Sequence, residues 1–150
     1  MTIRDVMTKM TTTCRQDTNL AAVTALMWEN DCSAVPVLAE TGELAAILTD
    51  RDICIALGTR NVRASDLTAR DVFELRPAVS VSPGDDIRSV LETMHEERTR
   101  RLPVVDEEGR LEGLVSIDDI VLSLRPGLGS NPLWEPSPSR ERMGETLVAA

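Results

Sequence analysis

An internal repeat constrains this chain more than any other feature of its sequence. The stretch AVPVLAETGELAAILTDRDI, residues 34–53, aligns without a gap with RLPVVDEEGRLEGLVSIDDI, residues 101–120, at an offset of 67 positions. The segment RDVM, residues 4–7, matches RDVF, residues 70–73, at an offset of 66. Repeated units bury their hydrophobic surface against one another. Because each copy has only about 60 residues, neither is expected to bury enough apolar surface alone.

Each copy has the pattern of a strand, a helix, a hairpin and a second helix. Short strands are predicted over residues 12–14 and 79–81, and the hairpins are predicted to turn at Gly42 and Gly109. In the second copy Ser82 is predicted to cap the first long helix, with a proline at the first helical position. The buried faces of the long helices are predicted from apolar residues at spacing i, i+3 and i+7, namely Leu20, Val23 and Met27, and Ile87, Val90 and Met94.

These elements predict an α/β (α+β) chain. Two β-α-β-β-α repeats are expected to pack through their sheets with pseudo-two-fold symmetry. Residues 1–62 and 63–125 are expected to form the repeats. Residues 126–150, rich in Pro, Gly and Ser, are expected to form a C-terminal tail that is mobile or docked.

Composition argues against several classes of protein. The 150 residues carry a net charge of -9 and only 2% aromatic residues, which disfavours nucleic-acid binding. No apolar run approaches the roughly 18 residues of a membrane span, so no membrane insertion is expected. Three cysteines without a CxxC motif indicate a reducing, cytoplasmic location. The cysteines are interpreted as packing residues, with Cys14 and Cys54 standing where the other copy has valines.

A hydroxyl residue followed three positions later by Asp occurs at the end of both hairpins, as Thr49–Asp52 and Ser116–Asp119. This spacing is typical of a helix capping box, worth about 1 kcal/mol. It also fits nucleotide binding, since a helix N-terminus and a hydroxyl favour a phosphate while a carboxylate one turn later favours ribose hydroxyls. Both interpretations remain open on the residues alone.

The order of these motifs, found twice, resembles a pair of cystathionine-β-synthase (CBS) domains, the Bateman module, over about residues 1–124. The resemblance implies a disc-like homodimeric module that binds an adenosyl ligand between its repeats and regulates a separate protein. AMP, ADP or ATP is the expected ligand, with S-adenosylmethionine or NAD as alternatives. The resemblance implies no catalytic cofactor.

The resemblance also implies roles for particular residues. It assigns phosphate binding to Thr49, Arg51, Arg100, Arg101 and Ser116. It assigns ribose binding to Asp52 and Asp119. It assigns the adenine pocket to Cys14, Arg15, Cys32, Ser33, Val81 and Ser82.

The two implied sites are not equal. Arg100 and Arg101 are grouped with Thr49 and Asp52, whereas the other site carries Asp118, which repels a phosphate. The Thr49 site is therefore expected to bind phosphate better.

One departure from the family pattern concerns the strand that precedes Thr49. Ala46 stands where the other repeat has Gly113. A methyl group at Ala46 is expected to crowd the Thr49 site if the backbone approaches the ligand closely.

Two alternative functions were weighed. A ligand-free scaffold for dimerisation or protein interaction would use the same motifs only as helix caps. An enzyme, such as a small phosphohydrolase, would need a metal cluster or an activated nucleophile. His95 is interpreted as part of a solvated helix face, and the adjacent Asp118 and Asp119 as a poor chelator, so neither a metal site nor catalysis is expected.

Overall fold

The computed structural model describes residues 1–9, 12–73 and 78–125 of the chain. The predicted tail, residues 126–150, lies outside the described residues. The described residues form, in chain order, α1 (Ile3–Val6), β1 (Cys14–Arg15), α2 (Leu20–Glu29), β2 (Ala34–Leu38), β3 (Leu44–Thr49), α3 (Asp50–Arg60), α4 (Ala69–Phe73), α5 (Ile87–Glu96), β4 (Arg101–Val105), β5 (Leu111–Ser116) and α6 (Ile117–Ser123).

Two small sheets carry the hairpins of the two repeats. One has the order β1-β2-β3, with β1 parallel to β2 and β2 antiparallel to β3, and the other is the β4-β5 hairpin. The counterpart of β1 in the second half is a parallel bridge between Val81 and Val104. Gly42 and Gly109 have φ of 89° and 79°, as the predicted hairpin turns require. The mixed architecture is confirmed. The strand predicted over residues 79–81 is reduced to the single bridge at Val81, and the strand predicted over residues 12–14 is found at Cys14–Arg15.

The predicted faces of α2 and α5 are buried. All six apolar residues on them belong to the hydrophobic core: Leu20, Val23, Met27, Ile87, Val90 and Met94. The predicted cap of α5 is wrong. Asp86, not Ser82, is the N-cap, with its carboxylate accepting a hydrogen bond from Arg88 N at 2.9 Å. The Ser82 backbone N–H instead donates to Asp85 Oδ2 at 2.8 Å within the turn before the helix. Ser82 therefore belongs to this turn and not to the helix start.

The short helices α1 and α4 each pack into the hydrophobic core of the other half of the chain. Ala69 of α4 is fully buried in the core of the first half, with Val72 and Phe73 packed beside it. Ile3 of α1 is fully buried in the core of the second half. Each half of the chain thus supplies a helix that completes the core of the other half. The boundary between the repeats at residues 62 and 63 stays a prediction. The two halves are joined by the packing of these short helices.

The first residues of the chain cross β5 at a glycine. Thr8 and Leu114 exchange two backbone hydrogen bonds of 2.9 Å. A Cβ atom at Gly113 would lie 2.6 Å from the backbone oxygen of Thr8. The close approach at this glycine is therefore made by the chain itself. Ala46 is the counterpart of Gly113 in the first repeat, and the counterpart of Thr8 falls within residues 74–77, outside the described part of the chain. The expected crowding of a ligand by Ala46 therefore stays a prediction.

The hairpins touch at their turns. Leu44 N donates to Gly109 O at 3.0 Å, and Glu43 forms a β-bridge with Arg110, its own counterpart in the repeat. A residue that contacts its counterpart lies at the axis relating the two, so this bridge marks the pseudo-two-fold axis. Of the helices that the structure describes, none has the length and apolar character needed to cross a membrane.

The three cysteines differ in exposure. Cys14 is buried, Cys32 is partly buried and Cys54 is exposed. Burial raises the pKa of the Cys14 thiol to about 11. The interpretation of Cys54 as a packing residue is wrong, because it lies on the outer side of α3.

Candidate functional site

The turns after β3 and β5 have the same hydrogen-bonded geometry. The amide and hydroxyl of Thr49 donate to Asp52 Oδ2 at 3.1 and 2.8 Å, and Asp52 N donates to Thr49 Oγ1 at 3.1 Å. The amide and hydroxyl of Ser116 donate to Asp119 Oδ2 at 2.8 and 2.6 Å, and Asp119 N donates back at 3.1 Å. Both motifs are therefore capping boxes, and they place hydroxyl and carboxylate side by side at a helix start.

A capping box also begins α1, and the start of α4 has the same hydrogen bonds from threonine to aspartate. Thr2 N donates to Asp5 Oδ2 at 2.9 Å, and Thr68 N donates to Asp71 Oδ2 at 2.7 Å. The threonine amides and hydroxyls stabilise the carboxylates and hold the pKa of both aspartates below its usual value. A hydroxyl residue three positions before an aspartate therefore stands at four helix starts in the described residues, and at Ser82–Asp85 it closes a turn that begins no helix. The spacing alone does not identify a ligand site.

Position in the sheet distinguishes the Thr49 turn from those caps. Ala34, the first residue of β2, lies opposite Thr49, the last residue of β3. Asp50 N donates to the carbonyl of Ser33 at 3.1 Å. The start of one strand and the start of a helix thus meet at one corner, with Ser33 and Thr49 on neighbouring chains. Arg51 is exposed on the first turn of α3.

The second repeat has an equivalent corner that carries more charged residues. Arg101 lies opposite Ser116, and Ile117 N donates to the carbonyl of Arg100 at 3.0 Å. The side chain of Arg100 pairs with Asp118, with 3.7 Å between Nη2 and Oδ1. Both side chains of this pair are mostly exposed, so the pair contributes little to stability. This corner therefore holds two arginines and one competing carboxylate.

The backbones of Arg100 and Arg101 pair with the end of β5, beside Ser116. The physical reason is local, because residues just before β4 pair with the end of β5 in the same hairpin. The sequence-based assignment of their side chains to the Thr49 site, across the two repeats, stays a prediction. The phosphate-binding roles of these residues stay predictions.

The Cys32 thiol lies beside the first corner. Burial raises its pKa, while the backbone N–H of Ala34 and the guanidinium of Arg101, a residue of the second repeat, oppose the rise. A cleft shared by the two corners stays a prediction.

The residues assigned to the adenine pocket are divided between the two ends of a strand. Cys14 pairs with Val37 and Arg15 with Leu38, at the far end of β2 from Ala34. Four residue steps in a strand span about 13 Å. Cys32 and Ser33 precede Ala34, so β2 separates them from Arg15.

The second repeat divides its assigned residues in the same way. Val81 bridges to Val104, three residue steps or about 10 Å from Arg101. Val81 is buried and the adjacent Ser82 is exposed. A single ligand that contacts both groups has to lie along the strand. The adenine-pocket roles remain untested predictions.

Two surface cavities lie elsewhere. One, of about 600 Å³, is lined by Leu91, Met94, His95, Glu96, Arg98, Thr99 and Ile117. The other, of about 310 Å³, is lined by Arg15, Gln16, Asp17, Leu38, Glu40 and Arg70. Sequence reasoning missed the second cavity. No ligand role was assigned to Gln16, Asp17, Glu40 or Arg70 from the sequence, and only the fold brings them together.

Residues of the types that can ligate metal ions do not cluster in the described parts of the chain. No group of three or more His, Cys, Asp or Glu residues in them is arranged to hold an ion. His95 is exposed on α5, as predicted. Asp119 accepts hydrogen bonds from Ser116 while Asp118 pairs with Arg100, so the two adjacent carboxylates have different partners.

Comparison with known protein families and proteins adds three findings. The CBS domain model matches residues 3–59 and 66–125. Among curated relatives, inosine-5'-monophosphate dehydrogenase from Mycobacterium leprae is 33% identical over 109 residues, 73% of this chain. The chain spans only 20% of the length of that enzyme.

Solved structures share the fold. Hypoxic Response Protein I, crystallised with two coordinated zinc ions, is 31% identical with a TM-score of 0.75, covering 83% of this chain and 100% of that chain. The CBS domain pair of protein MJ0100, in complex with 5-methylthioadenosine and S-adenosyl-L-methionine, is 20% identical with a TM-score of 0.70, covering 82% and 94%. CBSX2 in complex with AMP is 22% identical with a TM-score of 0.67, covering 81% and 94%.

Proposed function

This chain belongs to the CBS-domain family, and from that premise we propose that it is a regulatory module binding an adenine nucleotide, AMP, ADP or ATP, between its two repeats. The observation that carries the proposal is the pair of matching corners. In each, a capping aspartate uses Oδ2 for the hydroxyl residue, and within the described residues its Oδ1 accepts no hydrogen bond. That oxygen is available to a ribose hydroxyl.

The charge distribution favours the Ser116 corner for the phosphates. Arg100 and Arg101 are adjacent there, whereas the corresponding positions of the first repeat are Ser33 and Ala34. A hydrogen bond between a guanidinium and a phosphate contributes about 1.5–3 kcal/mol. The Ser116 corner thus replaces the Thr49 corner as the proposed stronger phosphate site.

Two structural neighbours support an adenosyl ligand. One was solved with 5-methylthioadenosine and S-adenosyl-L-methionine, and the other with AMP. S-adenosylmethionine and NAD are kept as alternative ligands in the test below. A ligand regulates such a module only through its differential affinity for two conformations. We place the regulated partner on a separate protein and propose a cytoplasmic location and no catalytic activity for this chain.

The experiment compares ligand binding across three aspartates at helix starts. Thermal unfolding is followed with AMP, ADP, ATP, NAD and S-adenosylmethionine for the wild type, Asp52→Ala, Asp119→Ala and Asp71→Ala. All three variants remove hydrogen bonds from the amide and hydroxyl of the residue three positions earlier, so all three are expected to lose a similar part of the free energy of unfolding. A ligand at about 100 times its Kd adds roughly 2.7 kcal/mol. Asp119→Ala is expected to lose most of that increment, and Asp71→Ala to keep it.

Two results would contradict the proposal. If none of the five ligands raises the unfolding temperature, the corners act only as helix caps. If Asp71→Ala removes the ligand effect as fully as Asp119→Ala, the loss reflects stability and not contact with the ligand.

A second candidate function, a dimerisation or interaction scaffold, is favoured by one surface. The cavity of about 600 Å³ beside α5 is lined in part by Leu91 and Ile117. On the neighbouring α6, Val121 and Leu122 are 45% and 40% exposed. Exposed apolar patches of this kind mark interaction surfaces. We propose that this face holds a second copy of the chain, giving a homodimer.

Sedimentation of the purified chain tests the dimer. Val121→Asp, on the same face of α6 as Ile117, is expected to convert a dimer to a monomer, whereas Val62→Asp, on a similarly exposed apolar residue outside this face, is expected to leave it intact. A wild type that sediments as a monomer at all concentrations, or a dimer that survives Val121→Asp, would refute the proposed interface.

A further inference from the structure

The cavity of about 310 Å³ lies where β1 and β2 end and α4 begins. Pockets that hold small molecules range from about 300 to 1,000 Å³, so this one suits a small ligand. Its walls are mostly polar, with one aliphatic side chain at Leu38: the lining residues are Arg15, Gln16, Asp17, Leu38, Glu40 and Arg70.

Hydrogen bonds fix the two positive residues of this cavity. Arg70 N donates to the carbonyl of Gln16 at 2.9 Å, and Arg70 Nη2 donates to Gln16 Oε1 at 2.8 Å. Arg15 N donates to Thr18 Oγ1 at 3.0 Å, which holds the backbone at the other side. Arg70 is thus anchored by both its backbone and its side chain.

The cavity carries two positive and two negative side chains without ion pairs between them. Arg15 and Arg70 face it together with Asp17 and Glu40. In the described part of the chain, none of the four forms an ion pair with another residue. Opposite charges in one concave site, each lacking a partner, match a ligand that bears both signs of charge at a short separation.

The repeat shows that the fold does not require Arg15 or Asp17. Arg4 N donates to the carbonyl of Pro83 at 2.9 Å, just as Arg70 N donates to that of Gln16. This backbone contact is therefore the same in both halves. Residues 82–84 read Ser-Pro-Gly where the first half reads Arg-Gln-Asp, whereas Arg70 and Glu40 have the charged counterparts Arg4 and Glu107. Arg15 and Asp17 thus add a charge of each sign at this corner alone, which favours a function over a structural role.

We propose that this cavity binds a free α-amino acid, the commonest small zwitterion of this shape. Arg15 and Arg70 bind the carboxylate, Asp17 and Glu40 bind the ammonium group, and Leu38 contacts an aliphatic side chain. Arg15, which the family resemblance assigned to the adenine pocket, lies at the opposite end of β2 from Ser33, so here it is assigned to the amino-acid site, apart from Cys32 and Ser33.

Calorimetric titration of the intact chain tests the proposal. The probes are glycine, L-leucine, L-methionine, L-glutamate and L-lysine. Saturable binding of at least one is expected. Arg15→Gln and Glu40→Gln are expected to weaken it tenfold or more, as the loss of a charge-assisted hydrogen bond implies. Neither side chain makes a hydrogen bond or ion pair with a described residue, so both variants should fold normally.

Matched controls separate the cavity from general charge effects. Arg88→Gln and Glu92→Gln make the same changes on the exposed face of α5 and should leave binding unchanged. N-acetyl and carboxamide derivatives of the bound amino acid, which remove one charge each, should bind at least tenfold more weakly. The proposal is overturned if none of the five probes binds, if both blocked derivatives bind as well as the parent, or if Arg15→Gln and Glu40→Gln bind like the wild type.

Discussion

Replacing Gly113 by alanine tests the crossing that joins the two halves of the molecule. A Cβ atom at this position would lie 2.6 Å from the backbone oxygen of Thr8 and 3.2 Å from the sulfur of Met7. The sulfur can move aside, since it lies near the end of a flexible side chain. The Thr8 oxygen cannot, because Thr8 and Leu114 are held together by two backbone hydrogen bonds of 2.9 Å.

The expected loss of stability follows from this geometry. Either the methyl is accommodated with strain, at about 1–3 kcal/mol, or the first segment lifts and both hydrogen bonds break, at about 0.5–1.5 kcal/mol each. Lifting the segment also pulls on Ile3, which is fully buried in the core of the second half. We expect Gly113→Ala to lower the free energy of unfolding by about 2–4 kcal/mol, a large part of the 5–15 kcal/mol typical of a domain.

Urea unfolding measures the effect, and Gly58 provides the control. Gly58 lies inside α3, and a Cβ atom there would meet nothing within 4 Å. Gly58→Ala is therefore expected to raise the free energy of unfolding by about 0.5–1 kcal/mol, because alanine loses less backbone entropy in a helix. The same substitution should thus act in opposite directions at the two sites. A Gly113→Ala protein within about 0.5 kcal/mol of the wild type would refute the crossing of Thr8 over β5.

Four further predictions concern backbone strain, thiol exposure and the pH dependence of stability at alkaline and at acid pH. Arg98 has φ of 51°, so Arg98→Gly is expected to raise the free energy of unfolding by about 1 kcal/mol in urea; a loss would contradict it. Cys54 should react first with a thiol reagent, and Cys14 only on unfolding. Burial raises the pKa of the Cys14 thiol from 9.0 to about 11, so the contribution of Cys14 to stability is full below pH 9 and is lost as the pH rises from 9 to 11. In urea unfolding, stability should therefore fall less between these pH values in Cys14→Ala than in the wild type. The lowered pKa of Asp71 predicts the reverse in acid: its contribution is full above pH 3.8, and the urea midpoint should fall less in Asp71→Asn as pH drops through the folded pKa.

Local sequence determined which segments form helices and strands and which of their faces are buried. The apolar spacing predicted the buried face of α2 correctly, and glycines at 42 and 109 predicted the hairpin turns. These features are encoded by neighbouring residues, since a helix face and a turn conformation depend on spacings of a few positions. The cap of α5 was misplaced for a related reason. Ser82 and Asp86 both suit a helix start, and hydrogen bonding within the turn decided between them.

Tertiary structure alone decided which elements cover one another. The sequence repeat gave no sign that α1 completes the second core and α4 the first, because an apolar face does not specify its partner. It likewise did not reveal that Arg100 pairs with Asp118, or that Arg15 and Arg70, 55 positions apart, face one cavity. Residues distant in the chain meet only through the packing of the whole fold. A periodic pattern carries information about burial, whereas the composition of a site depends on long-range contacts that no local pattern records.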